Sequence, residues 1–254
     1  MKIFMPDWMS RERRDLIRSF GAEIVSVSSD QGGFVGSIQM AEAFAAGHHD
    51  VFLPRQFSNE DNSEAHYRTT GPEIWLQSSA SGIRPDAFVA GVGTGGTVMG
   101  VGRYLRSVVP DIHVYAVEPA ESPTLSCGRK IGKHRIQGIS DEFVPPILDM
   151  GLIKRIVSVS DGDAILMAQK LASELGLGVG ISSGCNFLAA LEAQEQLGPE
   201  SNVVTVFPDD NKKYLSGDLL LKELPQPTYL TSNVDLVGLS AMGPTCVLCA
   251  PSGL

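Results

Sequence analysis

The stretch Asp86-Ala-Phe-Val-Ala-Gly-Val-Gly-Thr-Gly-Gly-Thr97 decides the fold of this chain. A short apolar strand, Ala87 to Gly91, runs into a turn of glycines and threonines, and residues 96–109 have helical character. Successive backbone N–H groups in a turn that opens a helix form an anion site, and glycines let a phosphate approach closely. We therefore predict that the turn binds a phosphate-bearing small molecule, with a flexible turn that binds nothing as the alternative.

The alternation of apolar strands with helix-period segments extends to both sides of this turn. Further strands are predicted at Lys2 to Met5, Ala22 to Val27, Val114 to Val117 and Val203 to Phe207, and further helices at Ser10 to Phe20, Gly36 to Ala46 and Cys185 to Leu197. This order is typical of parallel strands joined by helical crossovers. We expect an α/β fold whose twisted, parallel-rich sheet carries helices on both faces. The apolar run at 203–207 predicts a strand buried on both faces.

Composition and charge restrict the classes of function. The 254 residues carry 20 Lys and Arg against 29 Asp and Glu, a net charge of −9, which argues against a nucleic-acid partner. No apolar run approaches the roughly 18 residues that cross a bilayer, and the amino terminus lacks the apolar stretch of a secretory signal. Four cysteines are too few for a disulfide scaffold. We expect a cytoplasmic protein that binds no membrane.

The glycine turn also satisfies a dinucleotide-binding pattern. Gly91, Gly93 and Gly96 match G-x-G-x-x-G, and Glu118 follows about 20 residues later, where an acid would bind a ribose. That fingerprint normally opens the first βαβ unit of its domain, whereas several strand–helix pairs precede it here. A nicotinamide-binding domain therefore stays open as the less favoured alternative.

Eight stretches along residues 2 to about 220 carry a family resemblance. They are Phe4-Met-Pro-Asp-Trp-Met-Ser-Arg-Glu-Arg-Arg14, Arg55-Gln-Phe57 with Asn59 and Asn62, His66-Tyr67 with Thr70-Gly-Pro-Glu-Ile-Trp75, Gly93-Thr-Gly-Gly-Thr97, Val117-Glu-Pro119, His134-Arg-Ile-Gln-Gly-Ile139, Gly180-Ile-Ser-Ser-Gly184 and Phe207-Pro-Asp-Asp-Asn-Lys-Lys-Tyr-Leu-Ser216. In this order, the chain resembles the cysteine synthase and cystathionine β-synthase family. These are fold type II, tryptophan synthase β-like enzymes that depend on pyridoxal 5'-phosphate.

The resemblance implies roles for particular residues. The cofactor's 5'-phosphate is expected at Gly93, Thr94, Gly95, Gly96 and Thr97. Ser182 matches the serine that hydrogen-bonds the pyridine nitrogen; Gln56 matches a residue near the substrate carboxylate, and Gly138 lies in a loop near cofactor and substrate. The implied activity is β-replacement on O-acetylserine or O-phosphoserine with sulfide, giving cysteine, in a homodimer. A neutral serine partner makes the ring a weaker electron sink, which suits this reaction.

One expected motif is missing from this sequence. The family's Schiff-base lysine precedes D/N-R near the amino terminus and is followed by T-S-G-N-T-G, and neither motif occurs here. The lysines present are Lys2, Lys130, Lys133, Lys154, Lys170, Lys212, Lys213 and Lys222. Because that amine combines covalent activation with general-base work, we predict an N-terminally incomplete chain with no catalytic residue and no turnover. A non-catalytic or partner-dependent remnant that binds pyridoxal phosphate is the alternative.

The domain organisation follows from the resemblance. We expect a partial small domain at residues 1–58, a large phosphate-binding domain at 59–224 and a tail of uncalled structure at 225–254. Ser160 and Asp163 predict a capping box that opens a helix. Cys246-Val-Leu-Cys249 is a single C-x-x-C without a second pair or a nearby histidine, so we predict no metal site there.

Overall fold

A computed structural model describes residues 1–140 and 142–241 of the chain. The strands are β1 (Lys2–Pro6), β2 (Glu23–Val27), β3 (Ala87–Gly91), β4 (His113–Pro119), β5 (Arg155–Val159) and β6 (Val203–Thr205). The helices are α1 (Arg11–Ser19), α2 (Gly33–Ala46), α3 (Asp61–Arg68), α4 (Thr70–Ala80), α5 (Gly96–Val108), α6 (Thr124–Cys127), α7 (Asp161–Leu175) and α8 (Ile181–Leu197). None of the helices described combines the length and apolar character that crossing a bilayer requires.

The strands form two parallel sheets. The larger has the order β5-β4-β3-β6, and the smaller pairs β1 with β2. In the larger sheet Val89 lies beside Tyr115 of β4 and Thr205 of β6, so the three strands point the same way. The loops that follow their carboxyl ends therefore share one edge of the sheet, the usual location of ligand sites in open α/β sheets.

The core lies on both faces of the larger sheet. Alternate residues of β3 point to opposite faces because the side chains of a strand have a period of two. Phe88 is fully buried with the apolar side chains of α5, and Val89 is fully buried with those of α7 and α8. The predicted α/β class, with a parallel sheet and helices on both faces, is confirmed.

Three predicted elements differ clearly from the structure: α2 begins at Gly33 and not at the predicted Gly36, and β6 and α8 differ as follows. The run at 203–207 forms the short strand β6, which has one strand neighbour among the described residues and is only half-buried, so the expectation of burial on both faces was wrong. Its pairing stops because the Asn186 side chain donates to the Val206 carbonyl at 2.8 Å. Helix α8 begins at Ile181, four residues before the prediction, because the Gly180 carbonyl already accepts from Ser183 N–H at 3.0 Å.

Helix α1, which follows the first strand of the smaller sheet, and the segment at residues 230 and 231 are both hydrogen-bonded to other parts of the fold. Glu12 on α1 accepts a hydrogen bond from Ser216 Oγ at 2.7 Å. Asp163 does not complete a capping box with Ser160; its carboxylate accepts instead from the N–H groups of Leu230 and Thr231, at 2.8 and 3.0 Å. Residues 230 and 231 thereby lie against the amino terminus of α7. The domain boundaries at 58 and 224 stay predictions.

Candidate functional site

A cavity of about 290 Å³ opens at the carboxyl edge of the larger sheet. The glycine turn after β3, the loop around Gly138, the first turns of α8 and the segment after β6 line it. All six residues predicted to bind the cofactor lie on its wall, namely Gly93, Thr94, Gly95, Gly96, Thr97 and Ser182. Gly138 lines it as well, so residues that are far apart in sequence meet in one cavity.

The glycine turn contributes five consecutive residues, Gly93 to Thr97, to the cavity wall. Gly95 has a φ of +90°, the left-handed conformation that glycine adopts without steric penalty, and it precedes the first turn of α5. A methyl group on Gly93 would overlap the carbonyl oxygen of Gly138, so the two segments touch through their backbones. The turn therefore presents free N–H groups at a helix amino terminus, as an anion site requires.

Helix α3 lies behind this turn and holds both of its threonine hydroxyls. Asn62 Nδ2 donates to Thr94 Oγ1 at 2.9 Å, and His66 Nε2 lies 3.2 Å from Thr97 Oγ1. Burial lowers the pKa of His66, which favours the neutral imidazole. Sequence analysis missed this role: the i, i+4 spacing of Asn62 and His66 predicts that they share one helix face, but only the packing of α3 on α5 brings that face to the threonines.

Gln56 is the one predicted site residue that does not line the cavity. Its side chain is exposed, and its carbonyl accepts from Asn62 Nδ2 at 2.8 Å. Asn62 thus joins Gln56 to the glycine turn, and the proposed substrate contact of Gln56 stays a prediction.

Ser182 and Asn186 lie on consecutive turns of α8 and face the cavity. Ser182 is 4% exposed, and its hydroxyl has no hydrogen-bond partner among the described residues. Asn186 accepts from Gly91 N–H at 2.8 Å and donates to Val206, which links the ends of β3 and β6. Because the amide braces the floor of the cavity, the Ser182 hydroxyl is left as the polar group of α8 available to a ligand.

The loop around Gly138 closes the cavity opposite α8. Gly138 has a φ of +94° and Ser140 a φ of +53°, so the loop bends sharply toward the turn. Ser140 N–H donates to the Val92 carbonyl at 2.7 Å, and His134 Nε2 lies 2.9 Å from the Ser140 carbonyl. Burial lowers the pKa of His134, and the neutral ring donates from Nε2 to this carbonyl. These contacts hold Gly138 against the turn.

The remaining wall consists of residues that sequence analysis did not assign. Tyr214 donates to Asp209 Oδ2 at 2.5 Å, and Lys213 Nζ lies 3.6 Å from the same oxygen. Burial, followed by the hydrogen bond to Asp209, raises the pKa of Tyr214. Arg13 of α1 reaches the Tyr214 hydroxyl at 3.5 Å. Of the eight lysines, all within the described ranges, Lys213 alone lines the cavity.

A family model described as pyridoxal-phosphate dependent enzyme matches residues 1–209. The chain belongs to this family. A probable cysteine synthase of Bacillus subtilis is 42% identical over 217 residues, which are 85% of this chain and 69% of that relative. A hydrogen sulfide-producing enzyme from Fusobacterium nucleatum is 54% identical, with a TM-score of 0.88 over 91% of this chain and 69% of that one. An O-acetylserine dependent cystathionine β-synthase from Helicobacter pylori is 38% identical, with a TM-score of 0.79 over 87% of this chain and 70% of that one.

These similarities confirm the resemblance and the tryptophan synthase β-like fold. Members of the pyridoxal-phosphate family depend on this cofactor, and the cavity fits it chemically. The backbone N–H groups of Gly93, Thr94, Gly95 and Thr97 suit a phosphate, and the free Ser182 hydroxyl suits a ring nitrogen. Because Gly93 has no side chain, the Gly138 carbonyl packs directly against the turn and brings the Gly138 loop to the same cavity wall.

Glu118 argues against the dinucleotide alternative. Its side chain is fully buried and lies off the cavity wall. The carboxylate accepts from the N–H groups of Leu125 and Ser126, at 2.7 and 3.3 Å, and from the Ser126 hydroxyl. Because Glu118 caps α6 in this way, its carboxylate is not available to bind a ribose.

Cysteines supply no further site in the part of the chain that the structure describes. Within residues 1–140 and 142–241, no group of three or more His, Cys, Asp or Glu side chains could hold a metal ion. Cys185 is buried in the core, and burial raises the pKa of its thiol, which makes it unreactive. The Cys246-Val-Leu-Cys249 pair lies outside the described residues.

Proposed function

We propose that this chain forms the cofactor cavity of a cysteine synthase-type β-replacement, in which sulfide displaces acetate or phosphate from O-acetylserine or O-phosphoserine. The observation that carries the proposal is the single cavity that joins the glycine turn to Ser182. The names of the relatives, a cysteine synthase and an O-acetylserine dependent enzyme, support the same substrate class. In the net reaction the Cβ–O bond breaks with its electron pair on the leaving group, and a Cβ–S bond forms.

We assign the two ends of the cofactor to two helix amino termini. The N–H groups of Gly93, Thr94, Gly95 and Thr97 bind the phosphate, where the dipole of α5 also favours negative charge. When bound, pyridoxal phosphate supplies an electron sink for the substrate's α-carbon. Ser182 holds the ring nitrogen with a neutral hydroxyl and places no negative charge beside it. That arrangement disfavours a protonated ring and so favours elimination and replacement over transamination.

Gly138 and Gln56 are proposed to face the amino-acid substrate. The hydrogen bonds of Ser140 to Val92 and of His134 to Ser140 hold the Gly138 loop over the turn, where it excludes water from the bound ring. Asn62 tethers the Gln56 backbone to Thr94, a residue of the cavity wall, which holds Gln56 near the cavity although its side chain does not line it. A loop held in this way orients the substrate without supplying a charge.

We propose that the 254-residue chain binds pyridoxal phosphate reversibly and does not turn over. The K-D-R motif is missing from its sequence, and Lys213, the lysine on the cavity wall, is paired with Asp209. An ammonium group in an ion pair carries no free electron pair, so Lys213 is not a nucleophile in this state. The homodimer and the cytoplasmic location remain predictions.

The test is a titration of the purified chain with pyridoxal phosphate, followed by borohydride reduction and peptide mass analysis. We expect saturable absorbance changes, no cysteine formation from O-acetylserine and sulfide, and no lysine adduct after reduction. A reduced adduct on any lysine would contradict reversible binding, and its loss in Lys213→Met would locate it. Tight NADH binding without affinity for pyridoxal phosphate would instead support the dinucleotide alternative.

A further inference from the structure

We propose that Asn62 and His66 of α3 are positioning residues that set the hydroxyl protons of Thr94 and Thr97, so that both hydroxyls donate into the cavity. With both hydroxyls donating, the turn favours a ligand group that only accepts hydrogen bonds, such as a phosphate. Neutral groups and groups that carry their own hydrogen-bond donors bind less well. The inference rests on the proposed function, because it concerns the same phosphate site. It adds two residues outside the turn that determine what the turn accepts.

The two side chains reach the turn from one face of one helix. Asn62 and His66 are four residues apart on α3, so they lie one above the other on that face. Helix α3 packs closely on α5, since a methyl group on Gly100 would lie 2.6 Å from His66 Cβ. This close contact places the polar ends of both side chains at the glycine turn, which carries Thr94, and at the first turn of α5, which carries Thr97.

The Thr94 hydroxyl already accepts two hydrogen bonds, so its own proton points away from both of these donors. Its Oγ1 accepts from Asn62 Nδ2 at 2.9 Å and from Gly96 N–H at 3.3 Å. A hydroxyl has two lone pairs that accept and one proton that donates. Because both lone pairs of Thr94 are used, only its proton remains free to form a hydrogen bond. Asn62 cannot rotate its amide to accept instead, because its Nδ2 also donates to the Gln56 carbonyl, which only accepts. Thr94 lines the cavity and therefore donates to the occupant.

Thr97 is set by the tautomer of His66. The two ring nitrogens of His66 lie 3.2 Å from Thr97 Oγ1 and 2.9 Å from Thr70 Oγ1. A neutral ring has one N–H. If the proton is on Nε2, the ring donates to Thr97 and frees the Thr97 proton for the cavity; if it is on Nδ1, Thr97 donates to the ring. An anion beside Thr97 selects the first arrangement, with Thr70 donating to Nδ1.

The experiment compares the dissociation constants of pyridoxal phosphate and pyridoxal, which lacks the phosphate, for the full chain. We expect the wild type to prefer pyridoxal phosphate, and Asn62→Leu and His66→Phe each to reduce this preference roughly tenfold. Glu64→Leu is the matched control, since Glu64 is exposed on the same helix and pairs with Arg68. It should leave the preference unchanged.

A second measurement does not depend on the variants folding. Nitrogen-15 NMR of the His66 ring in the wild type, saturated with pyridoxal phosphate, should show the proton on Nε2. A ring that carries its proton on Nδ1 in this complex would overturn the inference, as would variants that keep the full preference. If the wild type shows no preference for pyridoxal phosphate over pyridoxal, the proposed phosphate site itself is wrong.

Discussion

Replacing Gly93 with alanine tests the geometry of the cavity most directly. A methyl group at this position would overlap the carbonyl oxygen of Gly138 and lie 3.4 Å from its carbon. This oxygen belongs to the backbone, and the adjacent hydrogen bond from Ser140 N–H to Val92 limits how far the loop can retreat. The substitution therefore forces the turn and the loop apart.

The size of the effect follows from the overlap. The carbonyl must move by about 1 Å to restore ordinary van der Waals contact. Overpacking of this kind costs about 1–3 kcal/mol in the free energy of unfolding. The shift also misdirects the N–H groups next to Gly93, and a lost hydrogen bond to a charged group costs about 1.5–3 kcal/mol. We therefore expect the affinity for pyridoxal phosphate to fall about ten- to a hundredfold.

Absorbance titration with pyridoxal phosphate and urea unfolding measure the two effects separately. Gly217→Ala is the control, because a methyl group there would meet only the Tyr214 carbonyl, at an ordinary 3.5 Å. It should bind and unfold like the wild type. If Gly93→Ala bound pyridoxal phosphate with unchanged affinity, the turn would not be the phosphate site that we propose.

Three further predictions concern acids outside the cavity. Burial, above all, raises the pKa of Asp161 from 3.8 to about 7. Between these two pH values the folded chain keeps a proton on Asp161 that the unfolded chain releases, so the free energy of unfolding falls as the pH rises. Asp161→Asn should flatten this fall in urea unfolding measured from pH 4 to pH 8; an unchanged slope would contradict the assignment. Asp163→Ala should lower the free energy of unfolding by about 1–3 kcal/mol and speed amide exchange at Leu230 and Thr231, whose N–H groups donate to the Asp163 carboxylate. If both amides stayed protected from exchange, other contacts would be holding this segment. Glu118→Gln should cost a similar amount and leave the affinity for pyridoxal phosphate unchanged, whereas a loss of binding would place Glu118 in the site.

Local sequence patterns predicted the elements that one short stretch specifies. β3 lies where the apolar run 87–91 predicts it, and α5 begins at the predicted Gly96. The start of α8 was predicted too late because Ser182, Ser183 and Gly184 have weak helix propensity, which burial in the core overrides. The prediction for β6 failed because an apolar run does not tell a central strand from an edge strand.

The site itself was predictable only where residues follow one another in the chain. Residues 93–97 form a single turn, so their shared place on the cavity wall was predictable without a fold. Lys213 is different: nothing in its neighbourhood distinguishes it from Lys212, yet the 3₁₀ helix at Asn211–Tyr214 turns one lysine to the cavity and leaves the other beside Asp210. Which lysine faces a cavity depends on helix phase and on what packs against it.

The sequence by itself determined the α/β class and the family and located the glycine turn at residues 93–97, because hydrophobic period, motif order and glycine placement are all written along the chain. Only the tertiary structure decided that Ser182 and Gly138 meet that turn in one cavity, that Glu118 caps a helix, and that Asn62 and His66 stand behind Thr94 and Thr97. Parallel strands bring the loops after their carboxyl ends to one edge, and packing then fixes which polar groups remain free to bind a ligand.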